Sequence, residues 1–348
     1  MKTHVNYLIF GGSGSLGKNL IKHLLKGTSS QIVVFSRDEA KHWTLKNEYA
    51  GTPEGSRLQF CIGDIRDPKR VLDAIMSYKP DKIIIAAAMK QVDTCELSPN
   101  ESIQTNLVGT QNVIDAIKNI IRTTNYNEYF PHATLFVSTD KACSPVNVYG
   151  MCKAISERYV TSCAQEFIGE AKFIGVRYGN VLESRGSIIP LFRYQAEYND
   201  AFTVTDPDMT RFLMTLDDSV DLIKHAFDNA KSGEIWIPRL KSMRIGDLAE
   251  IFSTKYKKPV KIIGLRPGEK IHEGLINSSE SVRTRESGKT HYVIGPAYYA
   301  GQNEMFDYTS ADDVMTKKEL ETYLKKLGIF DRSLSSFQGK SIEDIRTK

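Results

Sequence analysis

Tyr7-Leu8-Ile9-Phe10-Gly11-Gly12-Ser13-Gly14-Ser15-Leu16-Gly17-Lys18 decides the fold. Four apolar residues read as a buried strand, and Gly11, Gly14 and Gly17 follow at intervals of three before an amphipathic stretch. Glycine permits the tight turn and lets the backbone approach a pyrophosphate at a helix N-terminus, where the first N–H groups and the helix dipole favour anions. A glycine triplet alone could be a flexible turn. Its place between a strand and a helix points to dinucleotide binding.

Outward from this stretch, short β-branched runs alternate with longer amphipathic ones, the pattern of βα units around a parallel sheet. Strands are expected at 7–10, 32–35, 58–61, 82–86, 134–138 and 172–176. Helical spacing covers 17–25, 69–77, 103–120, 149–167 and 216–230. The expected fold class is α/β, a Rossmann-like parallel sheet with helices on both faces and a smaller C-terminal substrate-binding lobe. Residues 1–178 would form the dinucleotide domain, with 210–232 returning to it. Residues 179–209 and 233–348 would form the lobe and tail, covering the carboxyl ends of the strands where such folds bind ligands. The polar residues from about Leu327 to Lys348 are expected to wrap a neighbour or fray.

Composition bounds the function. With 348 residues, 41% of them hydrophobic and 25% charged, the chain can enclose a large core. No apolar run approaches the roughly 18 residues of a membrane helix, so a cytoplasmic protein without a membrane partner is expected. A net charge of +4 with dispersed basic residues argues against nucleic acid and fits a small anionic ligand held by a few arginines. Cys61, Cys95, Cys143, Cys152 and Cys163 show no CxxC or zinc spacing. Free thiols and no metal site are expected.

The second strand ends in Phe35-Ser36-Arg37-Asp38. An acid here usually meets a ribose hydroxyl and an arginine a 2′-phosphate, so Arg37 favours NADP while Asp38 keeps NAD open. After the third strand, Asp64 can accept from an adenine amino group or cap a helix. Ser15, Ser36, Ile65, Ala87 and Lys90 complete the expected cofactor contacts. Farther on, Ser138-Thr139-Asp140-Lys141 emerges from a strand and Tyr149-Gly150-Met151-Cys152-Lys153 opens a helix. Tyrosine and lysine at i and i+4 share a face. A phenol with a pKa near about 10 serves as a base only if a cation stabilises its anion, which Lys153 can supply.

Through Gly11-x-x-Gly14-x-x-Gly17, Asp64-x-Arg66-Asp67 and Tyr149-x-x-x-Lys153, the chain resembles the extended short-chain dehydrogenase/reductase family. Ser138 to Ala142, Val176 to Val181, Ser184 to Ser187, Met209 to Phe212 and Leu265 to Lys270 look like the inverting UDP-N-acetylglucosamine 4,6-dehydratases of bacterial glycan biosynthesis. Phe10 departs from the threonine often found before the glycine turn. Tyr149 separates the chain from a branch with methionine there, which includes dehydratase/5-epimerases, and places it nearer the branch making pseudaminic-acid precursors.

The resemblance implies hydride transfer from sugar C4 to NADP while Tyr149 takes the O4 proton. Loss of the C5 proton and the C6 hydroxyl gives an enone, and hydride return to C6 with protonation at C5 yields a C5-inverted 4-keto sugar and regenerates NADP. By the same analogy Lys141 handles the C5 proton, Asp140 helps the C6 hydroxyl leave, and Thr139 bonds the C4 oxyanion. Retaining dehydratases of the dTDP-glucose type carry Asp-Glu at the Asp140-Lys141 position. A lysine must be partly neutral to act as a base, and burial with a positive Lys153 could lower Lys141 toward about 7 to 8; as an alternative, Lys141 only positions substrate through a salt bridge. Asn180, Arg211, Arg266 and Glu269 match positions near UDP, although each taken singly could be a surface ion pair. Lys90 could reach sugar or cofactor, and His272 reads as structural. A UDP-sugar substrate and a homo-oligomer, dimer or hexamer, are implied. A 4-epimerase, a retaining dehydratase and a non-catalytic NADP-binding regulator stand as alternatives.

Overall fold

The computed structural model describes residues 5–27, 29–123, 129–184, 186–298, 301 and 303–331. β1 (Tyr7–Phe10), β2 (Ile32–Ser36), β3 (Leu58–Ile62), β4 (Lys82–Ile85), β5 (Ala133–Val137) and β6 (Lys172–Val176) lie in a nine-stranded sheet with the local order β3-β2-β1-β4-β5-β6. All these pairings are parallel, and β1 sits between β2 and β4 with Tyr7 opposite both Ile32 and Lys82. A strand covered on both faces has no solvated side, so β1, β2 and β5 read as near-continuous apolar runs. Leu8 and Phe10 enter one core with Val71, Ile117 and Val160, whereas Tyr7 and Ile9 enter the other with Leu20, Leu24 and Phe227.

The covering helices are α1 (Ser15–Gly27), α2 (Glu39–Glu48), α3 (Pro68–Tyr78), α4 (Val92–Leu97), α5 (Pro99–Ser102), α6 (Gly109–Thr123) and α7 (Val148–Glu166). A π-helical turn at Ile103–Val108 precedes α6. α2 buries only His42 and Leu45, too few apolar positions for its period to be legible.

Beyond β6 come β7 (Asn180–Val181), α8 (Ile188–Tyr198), β8 (Phe202–Val204), β9 (Thr210–Met214) and α9 (Leu216–Asn229). α9, begun by a Thr215–Asp218 capping box, contributes Val220, Ile223 and Phe227 to the core shared with α1. Thus 210–232 divides: β9 joins β7 and β11 (Ser242–Arg244), and only α9 lies on the main sheet. The remaining elements are β10 (Ile235–Pro238), α10 (Ile245–Tyr256), β12 (Val260–Ile262), β13 (Gly274–Ile276), α11 (Ser278–Ser281), β14 (Thr284–Ser287), β15 (His291–Ile294), β16 (Tyr308–Thr309) and α12 (Lys317–Lys326).

The expected assignment of all of 233–348 to the lobe and tail is corrected here. β10 adds parallel to β6, β15 runs antiparallel to β10, and β14 pairs with β15. Ile235 to Ile237 are apolar and buried, and the sheet edge offers them a ladder on which to hide. The lobe packs Phe192, Phe202 and Phe252 with Leu320 and Leu324. Leu327 and Phe330 rest on this core, Ile329 is buried in it, and Arg193 Nη2 donates to Ile329 O at 2.8 Å. Thus the start of the expected fraying tail is packed, while 332–348 lie outside the described residues, as does Arg185.

Arg177, at the end of β6, is buried. Its Nε donates to Glu157 Oε1 at 2.9 Å, while Nη1 and Nη2 each donate to Glu280 at 2.8 Å, tying β6 to α7 and α11. Removing one partner of such a network strands buried charge, costing about 3–5 kcal/mol. Arg177→Met is therefore expected to lower the thermal unfolding midpoint markedly. An unchanged midpoint in calorimetry would contradict this structural role.

Candidate active site

The site lies at the carboxyl edge of the sheet, beside the crossover between β1 and β4. Gly11 has φ +85°, and a Cβ there would stand 2.6 Å from Ala87 N, so glycine is required where the segments leaving β1 and β4 meet. Gly17 packs against the turn: its Cβ would stand 2.3 Å from Gly12 O. Gly14 is exposed, and a Cβ there would meet only Gly11 O, at 3.2 Å. Ser15 then opens α1, whose N-terminus carries the positive end of the helix dipole. This is a cradle that an anion can approach from the Gly14 side.

At the end of β2, Ser13 Oγ donates to Ser36 Oγ at 2.8 Å, and Ser36 Oγ is 2.7 Å from His42 Nε2. Arg37 is largely exposed, with Nη1 3.5 Å from Asp64 Oδ2. Asp38 accepts from Lys41 N at 3.0 Å to cap α2 and also pairs with the Lys41 ammonium. Its carboxylate is thus committed to the helix. Asp64 takes Arg66 Nε at 2.9 Å and Nη2 at 2.7 Å. Burial opposes ionisation of Asp64, but Arg66 and Arg37 outweigh it and hold the carboxyl below its usual range. The helix cap considered for Asp64 is supplied by Asp67, which accepts from Arg70 N at 3.0 Å. Ile65 packs against Gly109, where a Cβ would come within 2.6 Å of its Cγ2.

The catalytic candidates converge. Thr139 starts a short turn at Asp140–Ala142, which is fixed by Asp140 N donating to Tyr178 O at 3.0 Å. A Cβ on Gly150 would stand 2.1 Å from Lys141 O, so the turn sits directly on the first turn of α7. That helix start is anchored three ways. Asn147 accepts from Gly150 N at 2.8 Å, it donates to Gly268 O at 2.7 Å, and Glu96 accepts from Val148 N at 2.7 Å. Lys270 Nζ donates to Cys143 O at 2.7 Å, strapping the Arg266–Lys270 loop to the same segment.

Within the buried cluster, Thr139 Oγ1 donates to Asp140 Oδ1 at 2.9 Å and Lys141 Nζ donates to the same oxygen at 3.0 Å. Lys141 Nζ also lies 3.3 Å from Oε1 of Glu273, a residue only 3% exposed. Asp140 Oδ2 and Glu273 Oε2 are buried with no hydrogen-bond partner among the described residues. Burial alone would lower the Lys141 ammonium, but Asp140 and Glu273 overcome it and raise the group above its ordinary range. This reverses the expected lowering toward neutrality, because burial arrives together with two carboxylates.

Burial pushes the Tyr149 phenol up to about 12, against the opposing influence of Lys141 and Thr139. Lys153, one turn on, lies with Nζ 4.1 Å from the Phe136 ring centroid, and burial lowers it to about 7 although Glu157 works the other way. The cation acting on Tyr149 is therefore Lys141, whereas the expected source was Lys153. Cys143 and Cys152 are buried, and burial pushes both thiols up, Cys143 to about 12. Neither is poised as a thiolate.

The substrate candidates divide. Asn180, on β7, has a buried Oδ1 without a hydrogen-bond partner among the described residues. Arg211 is buried on β9, where Nη1 donates to Thr210 O at 2.7 Å and Ile271 O at 3.1 Å. Its charge faces Lys141. Arg266 Nε and Nη2 donate to Glu269 Oε1 at 3.0 and 2.5 Å, so these two are paired with each other. Lys90 is exposed, with Nζ 3.5 Å from Ser184 Oγ. His272 Nδ1 meets Thr210 Oγ1 at 2.8 Å.

Sequence reasoning missed Glu273, Asn147, Glu96 and Asn106. Asn106, inside the π-helical turn, accepts from Met89 N at 2.8 Å and so holds the chain leaving β4. Glu273 carried one faint signal, an acid immediately before β13, whose Leu275 and Ile276 are buried.

The parallel sheet, the glycine cradle and the Tyr149/Lys153 helix define an extended short-chain dehydrogenase/reductase. Within that class the chain belongs to the family described as polysaccharide biosynthesis protein, whose profile matches residues 7–295. It is 39% identical over 297 residues to the inverting UDP-N-acetylglucosamine 4,6-dehydratase of Campylobacter jejuni subsp. jejuni serotype O:2, covering 84% of this chain and 83% of that one. It is 38% identical over 290 residues to the UDP-glucose 4-epimerase of Rickettsia prowazekii, covering 81% and 80%. Among solved structures, Pen from Bacillus thuringiensis superposes with a TM-score of 0.85 at 33% identity, covering 95% of this chain and all of that one.

Proposed function

We propose that the chain is an inverting UDP-N-acetylglucosamine 4,6-dehydratase using NADP, forming a UDP-2-acetamido-2,6-dideoxy-4-hexulose with C5 of L-arabino configuration. The observation that carries this reading is the Asp140-Lys141 turn seated against the Tyr149 helix, which puts proton-transfer groups for C5 and C6 beside the group for O4. A 4-epimerase needs only the last.

The cofactor would be held by Gly11, Gly14, Ser15 and Gly17 at the pyrophosphate, Ser36 and Arg37 at the 2′-phosphate, Asp64 and Ile65 near adenine, and Ala87, Tyr149 and Lys153 toward the nicotinamide. When bound, it supplies the hydride acceptor for C4 and the hydride donor for C6. Tyr149 takes the O4 proton and passes its own by way of Thr139, whose hydroxyl donates to Asp140 at 2.9 Å. This route needs no free phenolate, in keeping with a phenol pushed up to about 12. Asp140 then gives that proton to the departing C6 hydroxyl, and Lys141 handles the C5 proton. Asn180, Arg266, Glu269 and Lys90 would meet the UDP-sugar, with Arg266 and Glu269 exchanging their mutual pair for phosphate and ribose.

The commitment of Asp38 to its helix cap supports NADP over NAD, because it leaves Ser36 and Arg37 to face the ribose. Arg37→Ala is expected to weaken NADP binding by about tenfold, the loss of one charge-assisted contact, and to leave NAD binding unchanged. Titration calorimetry on nucleotide-stripped protein checks this; equal NADP affinity in both proteins would sink the assignment. The function itself is tested by incubating purified protein with UDP-N-acetylglucosamine and following the products by NMR. A 4-keto-6-deoxy product with inverted C5 is expected. UDP-N-acetylgalactosamine would establish the epimerase reading, which the Rickettsia relative favours.

A further inference from the structure

Two hydroxyls and an imidazole form a chain from the glycine turn to the end of β2 and on to α2. Ser13, buried in the turn, donates through Oγ to Ser36 Oγ at 2.8 Å, and Ser36 Oγ lies 2.7 Å from His42 Nε2. The backbone fixes both ends. Gly11 N donates to Phe35 O at 2.8 Å, and Asp38 caps the helix that carries His42 by accepting from Lys41 N at 3.0 Å. His42 is 5% exposed, with its ring centroid 5.4 Å from that of Phe60. Its other nitrogen, Nδ1, is buried and has no hydrogen-bond partner among the described residues. The function proposed above uses Ser36 and Arg37 but gives His42 no part.

A serine hydroxyl has one proton to donate and two sites at which to accept. Ser13 fills one of the accepting sites of Ser36. Burial lowers the His42 imidazolium below its ordinary range, against the charge of Asp38, so at neutral pH the ring carries a single N–H. With that proton on Nδ1, a buried N–H would have no acceptor and Ser36 would spend its own proton on Nε2. Buried N–H groups are rarely left in that state. With the proton on Nε2, His42 donates to Ser36, both accepting sites of Ser36 are filled, and its one proton is left for a ligand.

We propose that His42 is a positioning residue for cofactor choice: by donating to Ser36 it makes the Ser36 hydroxyl a donor to the 2′-phosphate, beside the Arg37 guanidinium. The proposal rests on the NADP reading and adds to it a residue that touches the cofactor only through another. A phosphate offers charged oxygens that only accept, which is what a hydroxyl with both accepting sites filled can serve. A ribose 2′-hydroxyl gains less. It can accept from Ser36, but its own proton finds no free acid there, since Asp38 is taken up by Lys41. The chain through Ser13 also ties this donor to the glycine turn, so the contacts at the pyrophosphate and at the 2′ position are held in one register.

The test measures NADP and NAD binding by titration calorimetry on the full chain freed of nucleotide. His42→Leu and Ser36→Ala are each expected to weaken NADP by about tenfold, the scale of one hydrogen bond to a charged group, and to leave NAD within about twofold. His42→Gln, whose amide can donate to the same oxygen, should keep most of the NADP affinity. Because His42 acts through Ser36, adding His42→Leu to Ser36→Ala should cost nothing more. Nitrogen-15 NMR of the histidine rings, with the His42 signals assigned by their loss in His42→Gln, should place the proton on Nε2. Unchanged NADP binding in His42→Leu overturns the proposal, as does an equal loss of NAD binding, which would make His42 a packing residue. A further loss in the double variant, or a ring proton on Nδ1, overturns it as well. If the wild-type protein binds NAD as tightly as NADP, the NADP reading itself fails, a result read without any variant.

Discussion

Lys141→Ala is expected to abolish deuterium incorporation at C5 while leaving C4 oxidation within a few-fold of wild type. The scale of the loss is about 10²–10⁴-fold, as for other removed acid–base groups. Lys141 is surrounded by groups that keep it charged: Asp140 and Glu273 lie within 3.3 Å. An ammonium held in this way is a proton donor and an electrostatic partner for a developing enolate. A salt bridge that merely positions substrate would serve equally well with arginine, which keeps the charge but does not release a proton at working pH. Lys141→Arg is accordingly expected to fail as Lys141→Ala does. Deuterium entering C5 of the product at the wild-type rate in either variant would end the assignment of proton chemistry to this residue. The alanine variant leaves two carboxylates facing each other without a cation, so its thermal midpoint should also fall; the arginine variant separates that effect from the chemistry.

Tyr149→Phe is expected to remove the first step. The substitution deletes one oxygen from a buried side chain and keeps the ring packing, so the protein should fold with a nearly unchanged midpoint. Formation of reduced nicotinamide after mixing with UDP-N-acetylglucosamine should fall by about 10³-fold. A simple phenolate base would need more than the Lys141 ammonium, against which burial still holds the phenol up to about 12, while Lys153 is itself lowered to about 7 by burial and rests on Phe136. The Thr139–Asp140 path supplies what Lys153 does not, because it lets the phenol hand on one proton as it accepts another. Thr139→Val, which removes the link and keeps the volume, should lower the same step by a smaller factor. Undiminished C4 oxidation in Tyr149→Phe would transfer the O4 proton to another group.

Much of the fold was legible where strands are buried on both faces. Ile32 to Phe35 and Thr134 to Val137 have no polar alternation to obscure them, and the helices between carry a clean apolar stripe. Legibility failed where tertiary contacts supply what local pattern lacks. Ile235 to Pro238 is a strand because β6 offers it a partner, and α2 is held by His42 and Leu45 and a capping aspartate. Within the site, glycines at 11 and 17 are dictated by close backbone approach and could be read directly. Arg211 could not: its motif suggests a phosphate clamp, and nothing local to the motif marks the Thr210 and Ile271 carbonyls that take its Nη1.

The sequence by itself determined the βα order, the glycine cradle and the pairing of the Asp140-Lys141 turn with Tyr149 and Lys153. These depend on spacings of a few residues along one strand or one helix turn, which backbone geometry converts directly into position. The tertiary structure alone decided the charge states that matter. It brought Glu273 to Lys141, turned Lys153 toward Phe136 and bonded Thr139 to Asp140. Proton affinity in a buried site is set by which charges meet after the chain has folded, and residues far apart in sequence carry no local mark of that meeting.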